Sequence, residues 1–577
     1  MTKDKKRKAK EKTEKSPKPA GFPFGDKTFY TLFLLVIILA LFLRLNHLSS
    51  DPALNLSWSM GPFTDEGHVV SDARDKLFFG GWNLDDFFRM GVSGLVTVLT
   101  FIVFKLFGSG FAQARLVPIL FSLLSILFVF IVLKKEHNSK FAFLGSFFLA
   151  FCYVYLMHNR LALEETTLIF FLVLSIFFWQ KGEEKLLFYG CSGLSLGCAT
   201  LFVKPLGLFS GLVLIIILDF FRRKSGSFFK NIKLVKIKPL FYFVLGLFLV
   251  LIVWLVLIFA PYREVVIKIL TGTSAGRPEN IFEYIKNFLN LGTNDRLFNR
   301  MPLIFFLSFC YFLYWFKNLK QNLKNSSSIE FISVLWLFLG MLFLSITNYH
   351  PIRYQMILIP PLCLLAGLAL GKLSGMEFFK TKGRLTLFTL IIWWVILFTF
   401  SYNLLRLISV YQAMVFKSII LASLILLLLF LFYSLKPFRK GVKIGVRLRA
   451  LSVFLLLILF FLIQLNQYSS WASNTQNTLT HISRDLRSLP SGSVIAGPWA
   501  GTVCMENSHR AIIVQNWANT ENLIERFGVT HLVVFLIGGR VSWEGEFFRK
   551  NYPQATEGAT LTNQYKLPKG MLLIYKI

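Results

Sequence analysis

Charge is scarce in this chain of 577 residues: only 16% of it is Asp, Glu, Lys or Arg, where a soluble chain carries about a quarter. Acid is scarcer still, with 30 Asp and Glu against 62 Lys and Arg, a formal net charge of +32. The six cysteines, Cys152, Cys191, Cys198, Cys310, Cys363 and Cys504, are scattered. Five lie in or beside apolar segments, so neither a disulfide framework nor a CxxC metal pair is present. P-loop, GxGxxG and HExxH patterns are missing, which leaves nucleotide-loop and zincin chemistry unsupported.

What fills the chain is apolar: 55% is hydrophobic, in blocks of about 20 residues, the length that crosses a hydrocarbon core. Phe29–Leu43 and Phe241–Ala260 are two such blocks. Lys and Arg gather in alternate loops, as membrane topology requires, and this explains the net charge without a nucleic-acid partner. The Lys-rich segment 1–27 reads as a disordered cytoplasmic tail that touches anionic lipid, and the first apolar block as a retained signal anchor. Following the charge alternation predicts an all-α polytopic membrane domain over 28–465, with about thirteen spans and additional interfacial helices. Its first outer loop is 49–113, in which Gly91–Phe107 lies along the interface, and a long outer loop covers 261–300. The N-terminus is then cytoplasmic and the C-terminus outside, as in a bacterial inner membrane. Residues 466–577 change character, with β-prone runs at Ser493–Ala496, Ala511–Val514, Thr530–Leu536 and Met571–Tyr575 and a helix-like Thr520–Phe527. They predict a small extracytoplasmic α/β domain.

Ionisable residues avoid the centres of the spans and collect in the outer loops: Asp65, Glu66, His68, Asp72, Arg74, Asp75, Lys76, Asp85, Asp86 and Arg89, then His158, Arg160, Glu164 and Glu165. Topology accounts for basic loops on one side but not for acidic clusters on the other. Carboxylates serve as bases or orient a hydroxyl, while neighbouring Arg and Lys hold a phosphate. An amphiphilic substrate fits such a place, its headgroup at the interface and its chain in lipid. Trp58, Trp82 and Tyr349 are either sugar-stacking platforms or an interfacial aromatic belt.

Several blocks, in order, carry a resemblance: Thr64-Asp65-Glu66-Gly67 with Asp72-Ala73-Arg74, Lys105-Leu-Phe-Gly108 with Ala114-Arg115-Leu116-Val117-Pro118, His158-Asn-Arg160-Leu-Ala-Leu-Glu-Glu165, Lys204-Pro-Leu-Gly207, and Arg353-Tyr354 ahead of Pro360-Pro361. Together they resemble the GT-C glycosyltransferases, near the protein O-mannosyltransferase and lipid A aminoarabinose transferase family, over roughly the first 370 residues. The resemblance implies a polyprenyl-phosphate-linked sugar donor and an acceptor that is a protein, a lipid or a glycan. It makes Asp65, Glu66 and Glu165 the candidate catalytic acids. It makes Arg74, Arg89, Arg115, Arg160, Glu164, Lys204, Arg353, Tyr354 and His68 candidate substrate contacts, with Arg277 a further phosphate contact. The implied step is a direct, inverting displacement in which Asp65 takes the hydroxyl proton late, because carboxylates are weak bases toward a hydroxyl. It needs no cofactor and no divalent metal. The competing reading is a flippase or transporter of lipid-linked sugar, which midplane charges and inverted repeats would favour.

Overall fold

The computed structural model describes residues 25–57, 59–225, 237–272, 276–289, 296–349, 351–373, 387–409, 412–434, 446–537, 540–541 and 543–577. Most of the expected N-terminal tail, Trp58 and much of the basic loops beginning at Arg222, Lys372 and Lys436 lie outside these residues.

The apolar blocks form helices, as their composition and length require. Among the described residues seven helices are long and apolar enough to cross a membrane, eight if the bent pair Pro302–Lys317 and Leu319–Asn325 is one span. The expected count of about thirteen is therefore not reached by length and composition. Several expected spans are short or broken, such as Ser139–Phe151, Ser328–Leu344 and the Leu187–Val203 segment. Where helices pack tightly, small residues allow it. Gly193 faces the Phe243 carbonyl and Gly246 faces the Gly190 carbonyl, so neither position has room for a Cβ.

The Met90–Phe107 helix is apolar enough to span, yet both its ends are tied to the C-terminal domain. Just before it the Asp86 N–H donates to Asn519 (2.9 Å), and just after it the Ser109 hydroxyl donates to the Met505 carbonyl (2.5 Å).

The C-terminal domain is a mixed sheet in the order β2-β1-β3-β6-β5, with β4 pairing beside β3. The strands are β1 (Val494–Ala496), β2 (Arg510–Ile512), β3 (His531–Ile537), β4 (Arg540–Val541), β5 (Thr560–Leu567) and β6 (Gly570–Lys576). β1 runs parallel to β2 and β3, and β6 runs antiparallel to β3 and β5. The short helix before β3 covers Leu523–Phe527. β5 was not among the expected strands, since its Thr, Asn, Gln and Lys residues leave most of it exposed.

This domain packs on the Gly61–Phe79 helix. Gly67 sits against Gly501 and Thr502 with no space for a Cβ. The Thr502 hydroxyl donates to the Phe63 carbonyl (3.1 Å). Asp51 caps the Thr478–Asp485 helix, accepting from the N–H groups of Thr478 (2.9 Å) and Leu479 (3.0 Å).

Candidate functional site

Four breaks in helical structure converge at the end of the bundle that carries the C-terminal domain. Gly61-Pro62 starts the helix bearing Asp65, since proline is tolerated in a first turn. Gly61 also leaves room beside the Asp65 carboxylate, which would lie 3.2 Å from a Cβ there. Leu163, in extended backbone, precedes the Glu164–Lys181 helix, whose first turn carries Glu164 and Glu165. Carboxylates are favoured at that end by the helix dipole. The Leu187–Gly197 helix widens into a π-turn over Cys198–Val203, closed by Lys204 N–H donating to the Ala199 carbonyl (3.0 Å). Lys204 itself is extended, as a residue before proline tends to be. Pro351 then opens the turn Ile352–Gln355 with Arg353 and Tyr354 on it.

Their side chains form one network. Asp65 pairs with Arg353. Glu164 pairs with Arg89 and with Lys204 (2.9 Å), and Lys204 also pairs with Glu165 (2.5 Å). The Tyr354 ring lies under both cations, 4.8 Å from the Lys204 amine and 5.3 Å from the Arg353 guanidinium. Formal charges of Arg89, Lys204 and Arg353 balance those of Asp65, Glu164 and Glu165. Yet Arg89 Nε, Arg353 Nε and Glu165 Oε2 are buried and make no hydrogen bond. Beside the network is a narrow cleft lined by Ser57, Ser59, Asp65, His158, Tyr349 and Arg353, among others.

Of the expected residues, this end therefore gathers Asp65, Glu164, Glu165, Arg89, Lys204, Arg353 and Tyr354. Five others are engaged elsewhere. Glu66 is 1% exposed and holds Arg115 through two hydrogen bonds (2.7 and 2.5 Å) while accepting the Ala162 N–H (2.7 Å). It has no free carboxylate edge for catalysis. Arg115 donates in addition to the carbonyls of Leu48 (2.5 Å) and Ser50 (2.6 Å). Arg160 donates to those of Leu43 (2.6 Å), Arg44 (3.2 Å) and His47 (2.9 Å) and lies over Trp471. Both arginines satisfy carbonyls in and just beyond the last turn of the Asp26–Leu45 helix, groups that would otherwise be unpaired. Arg74, 1% exposed, donates to the carbonyls of Cys504 (2.7 Å), Asn507 (2.8 Å) and His509. It fixes the C-terminal domain rather than a substrate. His68 makes its hydrogen bond with the Pro498 carbonyl (2.7 Å), and burial lowers its pKa.

Arg277 is exposed, and its backbone carbonyl accepts from Asn348 (3.0 Å), next to Tyr349. Trp82 packs edge-on against Phe101. The cleft also holds Tyr349, one of the aromatic candidates, His158, which was not among the candidate contacts, and Ser57 and Ser59, which no sequence signal singled out. For His158 the available signal was its place in the same block as Glu165.

Three further acids on this side lie outside the network, two of them, Asp75 and Asp85, at the domain contact. Asp72 accepts the Met90 N–H (2.6 Å), and burial raises its pKa well above the usual range. Burial likewise pushes Asp75 up to about 6 and Asp85 up to about 7.

Residues 95–259 match the family described as dolichyl-phosphate-mannose-protein mannosyltransferase. Across nearly the whole chain the fold is that of ArnT from Cupriavidus metallidurans. Its apo structure aligns over 95% of this chain and 98% of that one at 14% identity, with a TM-score of 0.59. The structure bound to undecaprenyl phosphate aligns over 96% and 98% at 15% identity, with a TM-score of 0.54. At these identities the likeness to ArnT is one of fold. No curated protein sequence matches this chain. Its helices long and apolar enough to cross a membrane make it an integral membrane protein, with the sequence blocks around Asp65, Glu165, Lys204 and Arg353 meeting at one end of the fold.

Proposed function

We propose that the chain moves a sugar from a polyprenyl phosphate to an acceptor hydroxyl on the extracytoplasmic face of a bacterial inner membrane, inverting the anomeric centre. The observation that carries this reading is the convergence of Arg89, Lys204, Arg353 and Tyr354 beside Asp65 at one end of an apolar bundle. Such a group of cations suits a phosphate whose lipid tail stays in the bilayer. The ligand named in one ArnT structure, undecaprenyl phosphate, supports the same donor class here.

Donor phosphate enters among the cations, exchanging contacts with Glu164 and Glu165. Unmade bonds at Arg89 Nε and Arg353 Nε supply further donors for its oxygens. Asp65 accepts a hydrogen bond from the acceptor hydroxyl as its oxygen attacks the anomeric carbon, and the hydroxyl proton passes to a base of the site as the new bond forms. The C–O bond to phosphate breaks with its electron pair on the departing polyprenyl phosphate, and the preorganised cations stabilise that charge. The scheme uses protein charges throughout and no divalent metal, so chelator should leave the rate unchanged. A transporter reading gains no support from these charges, which lie at one end of the bundle rather than at its midplane. The test is turnover by purified protein in liposomes, with release of free polyprenyl phosphate and glycosylation of a simple acceptor followed by mass spectrometry. Full turnover by D65N would remove Asp65 from the mechanism, and no turnover by folded wild type would remove the transferase reading.

A further inference from the structure

His158 is a titratable group of the cleft that this scheme leaves unused. It ends the short helix Tyr153–His158 and is 2% exposed, yet it lines the same cleft as Asp65, Tyr349 and Arg353. Its Nδ1 lies 2.8 Å from the Val154 carbonyl. A carbonyl only accepts, so Nδ1 carries the hydrogen, and in the neutral ring Nε2 holds the lone pair. Among the described residues no hydrogen bond reaches Nε2. The charged groups around the ring are Glu165 from the helix start at Leu163, Arg300 from the turn Leu297–Arg300, Arg353 from the turn after Pro351, and Asp65 across the cleft. Asp65 meanwhile is paired with Arg353, which directs part of its carboxylate to a cation rather than to a proton.

Resting on the transferase reading, we propose that His158 is a further catalytic residue, its Nε2 accepting the acceptor-hydroxyl proton while Asp65 orients the hydroxyl. In that step the hydroxyl O–H bond breaks and its proton goes to Nε2. The oxygen forms its bond to the anomeric carbon, and the carbon–phosphate oxygen bond breaks with its electrons on polyprenyl phosphate. The imidazolium then returns the proton to water. The Nδ1–carbonyl bond presets the tautomer, so no ring reorientation precedes the reaction.

The experiment compares wild type, H158Q and D65N in liposomes, offered polyprenyl-phosphate-linked pentoses and hexoses with simple alcohol and glycoside acceptors. Glutamine retains an N–H for Val154 but offers no basic nitrogen. The expected result is a kcat for H158Q lower by about 100-fold, in the range that general base catalysis contributes. KM for the donor and the melting temperature stay at wild-type values, and the acid limb of the wild-type kcat–pH profile is absent from the residual activity. Wild-type kcat and profile in H158Q overturn the inference while leaving the transferase reading intact. A lowered melting temperature with the acid limb retained assigns His158 a structural role and overturns it as well. Failure of folded wild type to turn over any donor overturns the transferase reading, and this inference with it.

Discussion

The two ends of the helical bundle both carry buried charge, but they handle it differently. At the end opposite the C-terminal domain, Asp219 is fully buried and accepts from Trp179 Nε1 (3.0 Å), the Ser328 hydroxyl (2.9 Å) and Arg222 (2.7 Å), with Arg223 beside it (3.0 Å). Glu136 accepts the Ile329 N–H (2.7 Å) and Gln180 (2.9 Å), and Glu330 takes Tyr311 and Lys372 at 2.8 Å each. These carboxylates are satisfied within the protein and tie helices together. At the end with the C-terminal domain, the Asp65 network balances its charges yet keeps unbonded polar atoms on Arg89, Arg353 and Glu165 beside an open cleft. Buried polar atoms without a hydrogen bond occur at both ends, Arg223 Nε and Gln180 Oε1 among them at the first, so what sets the Asp65 network apart is the cleft beside it. Buried charge alone therefore does not mark a site; buried charge next to a cleft does.

The comparison can be broken from either end. The largest effect is expected at Asp65: D65N should lower turnover by at least about 1000-fold, as expected for a residue acting with others in one constellation, with its melting temperature unchanged. If D65N instead unfolds the protein at full specific activity, the two ends have been misassigned. D219A leaves Arg222 buried without its anion, a loss of about 3–5 kcal/mol. It should melt well below wild type in detergent, while the protein that stays folded keeps its kcat. G67A forces a methyl group against Gly501 and Thr502 and should destabilise the domain contact by about 1–3 kcal/mol, read as faster proteolysis of the C-terminal domain.

The acids at that contact sharpen the comparison further. Their folded pKa values are raised, about 6 for Asp75 and about 7 for Asp85 from 3.8. The folded form thus holds protons that the unfolded chain has released. Their contribution to stability is present at low pH and is lost as pH rises from about 4 toward 7. His68, with its lowered pKa, acts in the opposite direction. The melting temperature of D85N should consequently fall less than that of wild type between pH 5 and pH 7.5, by a few degrees. The smallest effect belongs to E164Q, which frees Arg89 and Lys204 from one carboxylate. Polyprenyl phosphate should bind this variant about 3–10-fold tighter, as measured by displacement of a fluorescent lipid phosphate; weaker binding would argue that Glu164 serves to position the two cations.

Much of this architecture was legible in the residues. Apolar blocks specify helices, and Gly61-Pro62, Lys204-Pro205 and Pro351 mark the breaks where Asp65, Lys204 and Arg353 sit. Charge alternation in the loops lays Met90–Phe107 along the interface, whereas its length and hydropathy suit a span. β5 was not legible, because a strand with one exposed polar side lacks the apolar run that marks its neighbours. Among the charged residues, spacing placed Asp65 and Glu66 together. Adjacent positions on a helix face different ways, so one reaches the cleft and the other the buried Arg115.

The sequence by itself determined that the chain crosses a membrane repeatedly, that its last segment folds as a small α/β unit, and which polar residues stand at helix ends. Those are consequences of local composition, periodicity and prolines. Tertiary structure alone decided which arginines pair with carboxylates beside the cleft and which close backbone carbonyls. Arg89 and Arg353 on one hand, Arg74, Arg115 and Arg160 on the other, are equally charged. The fold leaves the first two partly exposed opposite carboxylates at a cleft, and buries the other three opposite backbone carbonyls, with Glu66 beside Arg115. That difference is a matter of distance between segments hundreds of residues apart, and no local pattern records it.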